Sequence, residues 1–120
     1  MSVTITLHEN RRGWSPGETL VGVASWNVAP PPKSAEVRLL WFTEPVTDGE
    51  VNIVERRKLE NPPAIGQMNF SFKLPPQPHS FLGNLFIVGW AVEVVLLPGD
   101  GYARAAFDYG PGGLPIEAPH

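Results

Sequence analysis

Three histidines, His8, His79 and His120, a serine beside one of them at Ser80, and a scatter of carboxylates are the groups that could do chemistry in this chain. His79 and Ser80 are adjacent, and neighbours on an extended strand point to opposite sides, so they do not form a nucleophile–base pair. None of the histidines stands at a metal-ligand spacing from another His, Asp or Glu. Glu9, Glu18, Glu44, Asp48, Glu50 and Asp100 all fall near turn signals, where acids solvate the chain and bond the turn. Asp48-Gly-Glu50 and Asp100-Gly101 supply too few oxygens for calcium. The glycine-rich pieces Gly99–Gly101 and Gly110–Gly113 are not followed by the helix that a phosphate cradle requires. The expectation is a protein with no catalytic residue, no metal site and no cofactor, and not an enzyme.

The aromatic residues offer a different chemistry, that of contact. The chain has four tryptophans. Trp26, Trp41 and Trp90 lie in apolar stretches and read as core, since large aromatics dominate core burial. Trp14 lies in a polar turn. Together with Phe81 and Leu82 it is the candidate partner-binding set, because contiguous exposed apolar surface marks interaction sites. The competing fate for Trp14 is packing back onto the edge of the domain. A sugar platform is the alternative use of aromatics, and it needs at least two of Trp14, Trp26, Trp41 and Tyr102 exposed on one face.

The element that must position these groups is Leu85 to Leu97, LFIVGWAVEVVLL, the longest apolar run. A membrane helix needs about 20 apolar residues; this run is shorter, contains Glu93 and stops at Pro98. A buried helix fits the length, yet Ile87, Val88, Val92, Val94 and Val95 are β-branched and Phe86 and Trp90 are large, which suits a pleated sheet. It reads as one long strand, or as two halves meeting at a bulge at Gly89. Phe86, Val88, Trp90, Val92, Val94 and Leu96 make a continuous apolar face. The other face is mixed, with Glu93 in solvent or paired.

The rest of the chain alternates in the same way. Ser2–Leu7 puts Val3, Ile5 and Leu7 on one side and hydroxyls on the other. Pro16-Gly17 has the composition of a type II turn, with φ > 0 expected at Gly17. Strands follow at Thr19–Trp26 and Ala35–Thr43, then Asp48-Gly49 signals a hairpin. Val51–Glu60, with its Glu55–Lys58 charge run, reads as an edge strand guarded against foreign pairing. Gln67–Leu74 is the cleanest alternation, Met68, Phe70, Phe72 and Leu74 inward. Pro75, Pro76 and Pro78 force an extended crossing, and Tyr102–Tyr109 closes the sheet. About seven strands with regular turn signals predict an all-β fold, an antiparallel immunoglobulin-like β-sandwich over 1–109. The Gly/Pro-rich tail, 110–120, is expected to be loosely held.

Composition narrows the field of partners. At 120 residues the chain holds one domain with a sizeable core. It contains no cysteine, which removes disulfide and thiol chemistry. A net charge of −3 offers no footprint for nucleic acid. No apolar leader follows Met1, so the expected location is cytoplasmic, without membrane insertion.

Two stretches in register resemble the arrestin family. Trp14-Ser-Pro-Gly-Glu-Thr-Leu-Val-Gly-Val23 is similar to the "aromatic–x–PGE–x–hydrophobic–x–G" opening of arrestin N-terminal domains. Phe70-Ser-Phe-Lys-Leu-Pro75, then Pro78 to Gly83 (PHSFLG), then the strand through Trp90 and Val94, is similar to that family's later segment. The resemblance covers most of residues 1–109 and implies an arrestin-type sandwich of the single-domain microbial kind. Arrestins typically carry a second such domain and a charged phosphate-sensing core; neither is assignable to these residues, so phosphoreceptor sensing is not implied. The motif residues read chiefly as fold determinants, with Ser80 expected to bond a local backbone group.

The function expected from this is a non-catalytic adaptor or scaffold, an interaction module with a protein partner, working through strand edges and end loops. A carbohydrate-binding sandwich is the alternative. Self-association as a homodimer is expected through a sheet face or through the edge opposite the charged Glu55–Lys58 strand.

Overall fold

A computed structural model describes residues 2–44, 51–83, 87–99 and 101–117. The expected Asp48-Gly49 hairpin, His120 and the start of the central run, Leu85 and Phe86, lie outside the described residues.

The chain forms strands β1 (Ser2–Leu7), β2 (Gly13–Trp14), β3 (Thr19–Asn27), β4 (Ser34–Glu44), β5 (Val51–Glu60), β6 (Ile65–Lys73), β7 (Phe81–Leu82), β8 (Ile87–Leu97), β9 (Tyr102–Tyr109) and β10 (Ile116–Glu117). One sheet has the order β1-β3-β6. The other runs β10-β7-β8-β4-β5, with β9 paired to β8 and β2 paired to β9. Apart from the short parallel pairs β2–β9 and β7–β10, the pairing is antiparallel.

Alternation decides which residues meet between the layers. Leu7, Leu20, Ala24, Trp26, Phe70 and Phe72 come from the three-stranded sheet. Val37, Leu39, Trp90, Val92, Val94, Leu96 and Phe107 come from the other, and all are buried. Trp90, opposite both Trp41 and Phe107, has no exposed surface and sits at the centre.

Gly89 is not a bulge. Its register with Phe42 is regular, and the shift in pairing lies instead between Leu39 and Leu40. Gly89 is required for a different reason: a Cβ there would stand 2.4 Å from the Phe42 ring. The outer face of the larger sheet carries ions across strands. Arg38 bonds Glu36 at 2.7 Å and Glu93 at 3.4 Å, and Tyr102 donates to Glu93 at 2.9 Å. Partial burial, then the bond to Glu93, holds the Tyr102 phenol above its ordinary pKa.

The tail was expected to be loosely held. Residues 110–117 make specific bonds: Gly110 N donates to the Trp14 carbonyl at 3.1 Å, Ile116 N donates to the Ser80 carbonyl at 2.8 Å, and β10 pairs with β7. Short Gly/Pro-rich segments of this kind carry no apolar alternation for sequence reading to detect.

Candidate interaction surface

The first candidate residue, Trp14, is buried, with 2% of its surface exposed. Its strand β2 pairs with β9, Trp14 opposite Tyr109, and the Arg11 guanidinium covers its ring at 4.1 Å. It therefore offers no partner surface, and the packing fate is the one realised. The turn that follows is built as its composition requires. Glu18 N donates to the Ser15 carbonyl at 3.2 Å, and Gly17 has φ of +82°, as a type II turn demands. The Glu18 carboxylate then folds back on the turn, accepting from Arg11 and from Ser15 N at 2.6 Å. Those bonds, the Arg11 bond first, hold its pKa below the ordinary 4.5.

The crossing from β6 to β7 is fastened to the same corner. Tyr109 Oη donates to the Pro75 carbonyl at 2.6 Å and accepts from Gly17 N at 3.3 Å. The indole N–H of Trp90 donates to the Pro78 carbonyl at 2.8 Å. Ser80 does not bond a local group. Its Oγ accepts from Tyr109 N at 2.8 Å, and its own N donates to the Tyr109 carbonyl at 2.6 Å. His79 rests edge-on against the Tyr109 ring at 5.5 Å, so it serves packing. Sequence reading had missed Tyr109, the residue that gathers this corner; its signal is faint, a terminal tyrosine on a strand that alternates with alanines.

Phe81 and Leu82 remain from the candidate set. They form β7 against Val88 and Ile87, with Phe81 partly buried and Leu82 44% exposed. Leu82 walls an open groove of about 360 Å³, together with Phe42, Ile87, Val88, Gly89, Ala106 and Pro115. Arg12, Asp108 and Ser80 also line it. The structure thus separates Leu82 from Trp14 and groups it with residues of β4, β8 and β9. The Arg104 guanidinium lies 4.5 Å over the Phe42 ring and keeps that ring in place.

The aromatics do not assemble a sugar platform among the described residues. Trp14, Trp26 and Trp90 are buried, Trp41 packs partly buried on the inner face, and Tyr102 lies on the outer face. Nor do the described residues bring three His, Asp or Glu side chains together as metal ligands. Among them, no helix is long and apolar enough to cross a membrane.

No family model and no curated protein matches the sequence. Solved structures do. The chain is similar to the crystal structure of Spo0M, a sporulation control protein from Bacillus subtilis, with a TM-score of 0.63 over 90% of this chain at 18% identity. The fold is arrestin-like. The match takes in 48% of the Spo0M chain, so this protein spans about half the length of that neighbour. At 18% identity the likeness speaks for the fold and for nothing finer.

Proposed function

We propose that the chain is a non-catalytic interaction module, an adaptor or scaffold of arrestin-like type, and that its partner is a protein. The observation that carries this reading is the groove beside β7. It is lined by apolar side chains from four strands together with one cation and one anion, Arg12 and Asp108. That combination suits a peptide segment, with apolar anchors in the trough and polar groups at the edge. Ser80, the one hydroxyl on the wall, is already committed to Tyr109 N, so it is poorly placed to act as a nucleophile. The rigid corner beneath the groove favours recognition without rearrangement, because strands set such a surface more firmly than free loops do.

The test is affinity capture from a lysate of the source organism with the wild type and with Leu82→Glu. Leu82 is exposed, so the substitution leaves the core alone. A captured protein that the wild type retains and Leu82→Glu loses supports the reading. Capture that is identical for both removes the groove from the binding surface.

A further inference from the structure

The four sheet borders are not protected alike. β1 lies alongside β9, which covers one border of the three-stranded sheet. In the larger sheet β2 lines β9, and β10 lines β7. The opposite border of that sheet is β5, where five of ten residues are charged and Glu55–Arg57 and Lys58–Glu60 pair along the strand at 2.7 and 3.2 Å. Charges on an edge strand discourage a foreign strand from adding.

The remaining border is β6, and among the described residues it has none of these devices. Among the described residues β6 pairs with β3 alone. It is nine residues long, IGQMNFSFK, and its one charge is Lys73 at the end. Its pairing with β3 is regular from Ile65 to Lys73, without a bulge to twist the edge away. The outward row is Ile65, Gln67, Asn69, Ser71 and Lys73; the inward row contains Met68, Phe70 and Phe72. A long, regular, uncharged edge is a template for another strand.

We propose that β6 pairs antiparallel with β6 of a second copy of this chain, joining two three-stranded sheets into one of six strands. The sequence of β6 is self-complementary about Asn69. A two-fold axis there is the register that pairs all nine residues. It sets Gln67 opposite Ser71, Ile65 opposite Lys73 and Asn69 opposite itself. On the outward row this gives amide and hydroxyl pairs that can bond across strands, with no like charges opposed. On the inward row Met68 meets Phe70 of the second copy and covers its own partly exposed side chain. A second copy fits this edge better than an arbitrary strand, because a closed two-fold pair satisfies both edges at once. The sheet-face route to self-association is less suited, since the outer face of the larger sheet is crossed by the Glu36–Arg38–Glu93 ion ladder.

The absence of cysteine makes the register directly readable. Residues directly opposed in an antiparallel pair have Cβ atoms about 4.5–5.5 Å apart, at the margin of what a disulfide spans. Asn69→Cys should therefore cross-link into a covalent dimer on mild oxidation. Ser71→Cys should not, because its own counterpart lies four residues away along the partner strand, roughly 14 Å. Light scattering on the full chain across a dilution series should move the wild-type mass from 13.1 kDa toward twice that value. Asn69→Lys, which opposes two ammonium groups at the axis, should weaken the dimer by about tenfold or more. Asn69 is exposed, so both substitutions leave the core intact, and circular dichroism verifies that each variant is folded. A wild type that stays at 13.1 kDa at high micromolar concentration overturns the proposal. So does a dimer that Asn69→Lys leaves unchanged and Asn69→Cys fails to cross-link.

Discussion

The two flanks of the sandwich are built on opposite plans. On the flank of β2, β9 and the crossing 74–80, backbone and side chains from three separate parts of the chain are tied to one tyrosine. Tyr109 reaches Gly17, Pro75 and Ser80, stacks edge-on with Trp90 at 5.4 Å, and faces Trp14. On the flank of β5 and β6 the layers are held mainly by what lies between them. Arg57 lies 5.0 Å over the Phe72 ring, the Trp26 indole N–H donates to the Pro63 carbonyl at 2.9 Å, and among the described residues β5 and β6 form the outer borders of their sheets. Of the arrestin-like motif residues, Trp14, Gly17, Pro75, Pro78, Ser80 and Trp90 fall on the first flank, whereas Phe70 and Phe72 lie on β6. The motif residues of the first flank therefore encode a fastening.

The contrast can be broken at its strongest point. Trp90→Ala should cost about 3–5 kcal/mol, the range for large aromatic core truncations, since the ring is fully buried and its N–H holds Pro78. An unchanged denaturation midpoint would refute the central role given to it. Tyr109→Phe keeps the ring and removes one oxygen. It should cost about 1–3 kcal/mol by leaving the Pro75 carbonyl without its donor, and a chemical melt that matches the wild type would mean that water replaces that bond freely. Gly17→Val should cost about 1–2 kcal/mol, because a β-branched residue resists the left-handed conformation; thermal unfolding reads this directly.

Glu18→Gln sharpens the same flank through pH. A carboxyl with a lowered pKa in the folded state stabilises above the ordinary 4.5, and that contribution is lost as pH falls through the lowered value. The wild type should therefore exceed the variant in stability at neutral pH, and the gap should close in strongly acidic buffer. A gap that stays constant with pH would assign the effect to packing. The smallest effect belongs to the open flank. Gln67→Ala, on the exposed row of β6, should stay within about 0.5 kcal/mol of wild type at dilutions where the chain is monomeric. A loss as large as that from Tyr109→Phe would erase the distinction between the flanks.

Long strands were legible in the sequence because a buried face writes itself as alternation. β1, β5 and β9 fall where Ser2–Leu7, Val51–Glu60 and Tyr102–Tyr109 were expected, and the inward row of β6 is the one read from Phe70 and Phe72. The turn at Gly17 was legible for the same local reason, since φ > 0 selects glycine. The groove was not. β2, β7 and β10 are two residues each, too short to show a period, and their partners are distant in sequence. Trp14 was read as either a surface candidate or a residue packed onto the domain edge, and its polar neighbours conceal the tertiary contact with Tyr109 that decides for packing. Leu82 was correctly placed at the surface, but its companions Phe42, Ile87 and Ala106 come from three other strands.

The pairing of Trp14 with Tyr109 also has a consequence for biosynthesis. The two partners stand at positions 14 and 109, 95 positions apart. At a synthesis rate of about 5–20 residues per second, roughly 5–19 seconds pass between their additions to the growing chain. Throughout that interval the indole has no Tyr109 to lie against, although β1 and β3 can already pair. The N-terminal sheet can assemble while its corner stays open, and the last long strand to emerge shuts it. A ribosome stalled before Tyr109 would thus present a tryptophan to chaperones that the finished protein conceals.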